Sequence, residues 1–165
     1  MSYAVNEVTD RAFLDQAVQL AVESIENGGG PFGALVVRGG EVVARAANRV
    51  TLDCDPTAHA EVLAIRMAAR DLATPHLPDT ILYASCEPCP MCLAAAHWAR
   101  IPRIVFAASQ ETANRAGFAD GNIAEQLYGQ VHPVRIRELG LSQIDIEGSG
   151  APFLAWLVKH DRQPY

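Results

Sequence analysis

Two short segments place reactive side chains at metal-binding spacing: His59-Ala60-Glu61 and, further along, Pro88-Cys89-Pro90-Met91-Cys92. One imidazole and two thiols form a donor set that zinc binds well, and three protein ligands leave the fourth tetrahedral position to water. Glu61 is not needed as a ligand. A carboxylate beside a metal-activated water can move that water's protons, so the set reads as hydrolytic machinery.

The spacing also says where such a site must lie. Cys89 and Cys92 are three apart and share one face of a helix, and Pro90 suits the first turn of that helix, which puts both sulfurs at its N-terminal end. The helix dipole favours anions there, and zinc requires thiolates. His59 and Glu61, two apart, share no helical stripe and can meet one water only over the end of their helix. Two helix N-termini converging on one point satisfy both demands. Two plainer readings stay open. Cys86 repeats the same interval before Cys89 and could close a structural zinc cage, and Cys89-x-x-Cys92 after a strand could be a redox pair. Cys54 reads as an incidental thiol.

The bulk of the chain suits an ordinary globular enzyme. Its 165 residues fit one domain with a real core, half of them apolar and 19% charged. A net charge of −6 argues against a grip on phosphate backbones, which calls for a basic face, and favours a small neutral ligand. Met1 to Asp10 lacks the apolar stretch of a signal peptide, and no apolar run is long enough to span a bilayer. Three cysteines packed between 86 and 92 fit a reducing compartment, so a cytoplasmic location is expected, with no membrane partner.

The elements that must position these groups alternate between helix and strand. Leu14, Val18, Ala21 and Ile25 form one helical stripe, which Gly28-Gly29-Gly30-Pro31 terminates. No Gly-Lys-Ser/Thr follows those glycines, so they are not a phosphate loop. Phe32 to Arg38 and Glu41 to Asn48 read as a hairpin around Gly39-Gly40. A second helix is expected after Asp55-Pro56-Thr57, running to about Leu72, then a strand over Thr80 to Ser85. Pro90 to Trp98 reads as a helix, Arg103 to Ala107 as a strand, and Val134 to Arg137 as one more. Ser109 to Pro133 reads as a functional loop with a short helix near Asn122 to Leu127. A last helix, Ala151 to His160, should bury Phe153, Trp156 and Leu157 on one face. His97, His132 and His160 read as surface residues. Strands separated by helices imply an α/β sheet covered on both faces.

The combination H-x-E with P-C-x-x-C is the known signature of zinc deaminases. Over nearly its whole length the chain resembles the cytidine deaminase-like superfamily, and within it the bacterial guanine deaminases. The matching residues are Gly30-Pro31-Phe32-Gly33, Asn48, Asp55-Pro56-Thr57-Ala58-His59-Ala60-Glu61, Ser85-Cys86-Glu87-Pro88-Cys89-Pro90-Met91-Cys92, Trp98-Ala99-Arg100, Ala116-Gly117-Phe118, Asp120 and Tyr165. The resemblance implies a three-layer α/β/α sandwich around a mixed five-stranded sheet, a single domain over residues 1–165, and one Zn2+ per subunit held by His59, Cys89 and Cys92. It also implies a homodimer in which the segment from about 150 to 165 is exchanged. Glu61 then moves protons, Asp120 or Glu125 supplies a second functional carboxylate, and Phe32, Asn48, Ala60, Trp98, Asp120 and Tyr165 surround a heterocyclic base.

The expected reaction is hydrolytic deamination of a free purine base, with guanine giving xanthine and ammonia. A carboxylate at position 120 could accept from adjacent N1–H and N2–H donors, whereas adenine presents a bare N1 there. Deamination of another small ring (cytosine, guanosine or an aminotriazine), tRNA adenosine deamination, and a non-catalytic zinc-binding protein remain the other readings.

Overall fold

The computed structural model describes residues 7–118, 123 and 140–162. Its centre is a five-stranded sheet in the order β2-β1-β3-β4-β5. The strands are β1 (Gly33–Arg38), β2 (Glu41–Ala47), β3 (Thr80–Cys86), β4 (Arg103–Ala108) and β5 (Leu141–Gln143). The β1 strand pairs antiparallel with both β2 and β3, while β3, β4 and β5 run parallel, so the sheet is mixed.

Side chains alternate across it with the period of two that a pleated strand imposes. Leu35, Val37, Tyr83, Val105 and Ala107 pack against Phe13, Leu14, Ala17 and Val18 of α1 (Glu7–Glu26). Ala34, Val36, Leu82, Ala84, Ile104 and Phe106 face the other way, onto α3 (Ala60–Asp71) and α4 (Pro90–Trp98). Helices on both faces leave neither side of the sheet wet, which is why its strands read as nearly continuous apolar runs. The three-layer α/β/α architecture is the one expected.

The α1 helix ends in a Schellman turn. The Gly29 N–H reaches the Ser24 carbonyl at 2.8 Å and the Gly28 N–H the Ile25 carbonyl at 3.1 Å, with Gly28 in the left-handed region at φ +86. The buried Ser24 hydroxyl then donates to the Asn48 carbonyl at 3.3 Å. Gly33 sits where α1 lies directly on the sheet: a methyl there would stand 2.4 Å from the Ala17 carbonyl oxygen.

Several elements differ from the sequence reading. Pro56 precedes α3, which starts at Ala60, and a single turn, α2 (Val50–Asp53), lies between β2 and Pro56. Part of the stretch read as loop is α5 (Gln110–Arg115), started by Ser109, whose hydroxyl accepts from the Thr112 N–H. The fifth strand of the described sheet is Leu141–Gln143; the expected strand at Val134 to Arg137 lies outside the described residues, as does most of the helix near 122–127. The last helix, α6 (Ala151–Val158), buries Phe153 and Trp156 but leaves Leu157 44% exposed. Among the described residues no helix is long and apolar enough to cross a membrane.

On the α1 side one buried polar cluster braces the layers. The Arg103 guanidinium donates twice to the Asp10 carboxylate, at 3.0 and 2.6 Å, and the Tyr83 hydroxyl donates to it at 2.6 Å. Burial alone would raise the Asp10 carboxyl; the hydrogen bonds from Arg103 and Tyr83, with the Arg103 charge, outweigh it and hold it below the usual range. A carboxyl depressed in the folded state contributes stability above its unfolded pKa and loses it as pH falls through the folded value. Asp10→Ala should therefore cost about 3 kcal/mol at neutral pH, because it leaves a buried guanidinium and phenol unpaired. In urea melts the gap between variant and wild type should shrink as the pH drops below about 4. A gap that does not change between pH 7 and pH 3 would show that the charge of Asp10 carries none of the effect.

Candidate active site

His59 and Cys89 occupy equivalent places in the fold. Each is the N-cap of its helix, with extended backbone: His59 opens α3 and Cys89 opens α4, where Pro90 takes the first turn. Cys92, fully buried, lies one turn into α4. The geometry is a triangle: His59 Nδ1 to Cys89 Sγ, His59 Nδ1 to Cys92 Sγ and Cys89 Sγ to Cys92 Sγ are each 3.6 Å. A tetrahedral zinc with bonds of about 2.3 Å to sulfur and about 2.0–2.1 Å to nitrogen separates its ligands by about 3.6–3.8 Å. The three donors are thus already at zinc's own ligand spacing, and they are the one candidate metal group among the described residues.

That geometry decides between the alternatives left open above. Cys86 is outside the triangle, with its thiol turned to the Ser109 carbonyl at 3.7 Å. A redox pair would leave His59, equidistant from both sulfurs, without a purpose. Hydrogen bonding from Cys92 lowers the Cys89 thiol to about 4, with His59 adding to the effect. The same bond, together with burial, pushes Cys92 well above its usual value. Zinc would require both sulfurs as thiolates, so its binding would release protons from this pair.

Glu61, in the first turn of α3, is 6% exposed. Burial, reinforced by the charge on Cys89, pushes its carboxyl up to about 7, although His59 pulls the other way. A carboxyl poised near neutrality can both take and give a proton. His59, Glu61, Glu87 and Cys89 line one side of a cavity of about 260 Å³; Phe32, Val50, Pro56, Phe118 and Ile123 complete it. An apolar wall with a few converging polar groups suits a flat heterocycle.

Phe32 stands edge-on to Phe118, with ring centroids 5.0 Å apart, and Phe153 and Trp156 of α6 continue the aromatic cluster. Asn48 is 1% exposed and fixed from three sides. Its N–H donates to the Phe32 carbonyl, its carbonyl accepts from Ser24, and its Oδ1 accepts the Val50 N–H at 3.1 Å. The amide nitrogen Nδ2 is buried with no hydrogen-bond partner among the described residues. Ala60 is the first residue of α3, beside His59. Of the expected base-binding residues, Phe32 lines the cavity; Asn48 and Ala60 do not line it but adjoin residues that do, Asn48 through its hydrogen bonds to Phe32 and Val50 and Ala60 between His59 and Glu61. Trp98 closes α4 at 84% exposure and lies elsewhere, against His76, Ala94, His97 and Arg100. Asp120, Glu125 and Tyr165 fall outside the described residues.

Sequence reasoning missed Glu87, Val50 and Pro56 as wall residues. Glu87 carried a signal in its place two residues before Cys89, at the end of an apolar strand. Val50 and Pro56 carried none, because a one-turn helix and the turn after it have no stripe to read.

The fold and the triangle define a class. Residues 7–108 match the cytidine and deoxycytidylate deaminase zinc-binding region, and the chain belongs to that family of zinc-dependent aminohydrolases. Within it the chain is a homologue of guanine deaminase. It is 46% identical to the guanine deaminase of Bacillus subtilis over 145 residues, 87% of this chain and 91% of that one. The crystal structure of that protein superposes with a TM-score of 0.69 at 42% identity, covering 93% of this chain and 97% of the other. A guanine deaminase structure from Nitrosomonas europaea gives a TM-score of 0.78 at 25% identity, covering 90% and 85%. The tRNA-specific adenosine deaminase of Aquifex aeolicus is 44% identical over a shorter span, 58% of this chain and 64% of that one.

Proposed function

We propose that the protein hydrolyses guanine to xanthine and ammonia. The observation that carries this reading is the Asn48 amide. With Oδ1 committed to Val50, its buried Nδ2 is a donor in want of an acceptor, and an unpaired buried donor costs about 1–3 kcal/mol. A ring carbonyl such as guanine O6 removes that cost; adenine has no carbonyl to offer. The net charge of −6 and the near-complete overlap with a guanine deaminase favour the free base over tRNA.

His59, Cys89 and Cys92 would hold the zinc, which would supply an activated water for attack on carbon. Glu61 takes a proton from that water and passes it to N3, the unprotonated ring nitrogen next to C2, then takes the remaining hydroxyl proton and delivers it to the amine as it leaves. The C2–O bond forms, the C2–N bond breaks, and the amine departs as ammonia. Phe32 and Phe118, in contact with each other, form the apolar wall beside the ring, and Asn48 fixes its carbonyl. Asp120, with Glu125 as the alternative second carboxylate, accepts from the donor edge of the base. Ala60 borders the base from the start of α3. Tyr165 adds an aromatic wall over the mouth of the pocket and helps exclude water.

The protein acts as a cytoplasmic homodimer in this reading, with residues from about 150 to 165 exchanged. Trp98, Leu154, Leu157 and Val158 are exposed apolar side chains in need of cover, so a base-binding role for Trp98 is fulfilled across that interface. The contacts of Phe153 and Trp156 with Phe118 can equally be made between two copies.

The test is ammonia release by zinc-loaded protein from guanine, guanosine, adenine, cytosine and an aminotriazine. Guanine should be the preferred substrate, and a preference for adenine or cytosine removes this reading. Deleting residues 162–165 should lower guanine turnover by about tenfold or more while zinc content and a sedimenting dimer persist. Asp120→Asn should cost about ten- to hundredfold on guanine. If both variants match wild type, neither the tail nor Asp120 selects the purine.

A further inference from the structure

We propose that Glu87 determines substrate choice by accepting the N1–H of the bound base, a role that rests on the guanine deaminase reading and deepens it. Glu87 leaves β3 two residues before Cys89 and forms part of the cavity wall with Glu61 and Cys89. It is held at both ends. Its backbone N–H continues the pairing of β3 with β4 by donating to the Ala108 carbonyl at 2.8 Å. Its side-chain Oε2 accepts the N–H of Gln110, the first residue of α5, at 3.0 Å. The other oxygen, Oε1, has no hydrogen bond among the described residues.

A carboxylate anchored through one oxygen keeps the other near by, and that oxygen can only accept. The part of a ligand that meets Oε1 must therefore be a donor. Guanine N1–H, next to the carbon that loses its amine, is such a donor. 2-Aminopurine carries the same amino group on the same carbon but presents a bare lone pair at N1, which would face a carboxylate lone pair.

Glutamine at this position separates the role from mere bracing. Its carbonyl oxygen still accepts the Gln110 N–H, but it turns an amine toward the base in place of an acceptor. Zinc-loaded wild type, Glu87→Gln and Glu87→Ala are compared on guanine and 2-aminopurine by turnover. They are also compared by equilibrium binding, read from 2-aminopurine fluorescence with guanine as competitor. In Glu87→Gln the preference for guanine, as a ratio of kcat/KM and as a ratio of Kd, should fall by about tenfold or more. The change should come chiefly through KM, with zinc content and Tm unchanged. Glu87→Ala, which removes the acceptor and offers no donor, should reduce the same ratio by a smaller factor.

The missing O6 of 2-aminopurine affects all three proteins alike and cancels in the comparison. Equal weakening of both bases, with the preference unchanged, makes Glu87 a structural brace and overturns the proposal. A wild type that binds both bases and turns over neither defeats the deaminase reading, and the Kd ratios then decide the role of Glu87. A wild type that binds neither base overturns both.

Discussion

Zinc-loaded Glu61→Gln protein should keep its fold and its metal and lose turnover by about a thousandfold or more. Glutamine has the shape of the glutamate it replaces but cannot carry a proton, and positioned acid–base groups typically contribute about 100- to 10,000-fold. Here one residue is asked for several transfers, which places the expected loss toward the upper end of that range. The fold should not suffer. Glu61 is 6% exposed, and burial already disfavours its charged form, so a neutral amide of equal volume costs no more to desolvate. Circular dichroism and metal analysis should match wild type while xanthine formation collapses. More than a tenth of wild-type activity would remove Glu61 from the mechanism.

The second large effect is on the metal. His59→Ala, Cys89→Ala and Cys92→Ala should each abolish tight zinc binding, and with it all turnover, because each takes one corner from a triangle of 3.6 Å sides. Cys86→Ala should retain one zinc per chain, since that thiol is directed at the Ser109 carbonyl. Elemental analysis after dialysis against a weak chelator reads both halves. Zinc lost on Cys86→Ala would make the centre a closed structural site and withdraw the position that hydrolysis needs.

Much of this centre was legible in the sequence because capping chemistry and metal chemistry coincide. Pro90 marks the first turn of α4, so Cys89 had to be its cap, and the bounds Pro90–Trp98 follow. The spacing of His59 and Glu61 forced the site over a helix end, where the structure has it. The hairpin was equally readable, since Gly39 and Gly40 both take positive φ and the flanking residues are apolar.

What escaped notice had no stripe to show. The α5 helix buries only Ala113, so its sequence looks like loop; its one local signal is the serine that caps it. The β5 strand has three residues, too few for alternation to register. For Trp98 the sequence supplied an aromatic residue beside a cysteine motif, but helical phase sends it outward: six residues after Cys92 it is turned about 120° away from that buried thiol around α4. Glu87 was visible as a member of the motif, yet its function depends on Gln110, and no local pattern links residues that a parallel strand pairing brings together.

Helix α1 supplies no group to the cavity, yet its rotation about its own axis is not free. Gly33 lets it lie against β1 at backbone contact distance, and the serine in its final turn holds the carbonyl of Asn48. Each residue of slip along a helix turns every later side chain by about 100°, so the phase of α1 fixes the direction in which Ser24 can reach. Helix and sheet thus behave as a jig: the place of one amide nitrogen is measured from a surface more than twenty residues away in sequence. The placement of Asn48 is therefore exposed to changes in a helix that lines no part of the cavity.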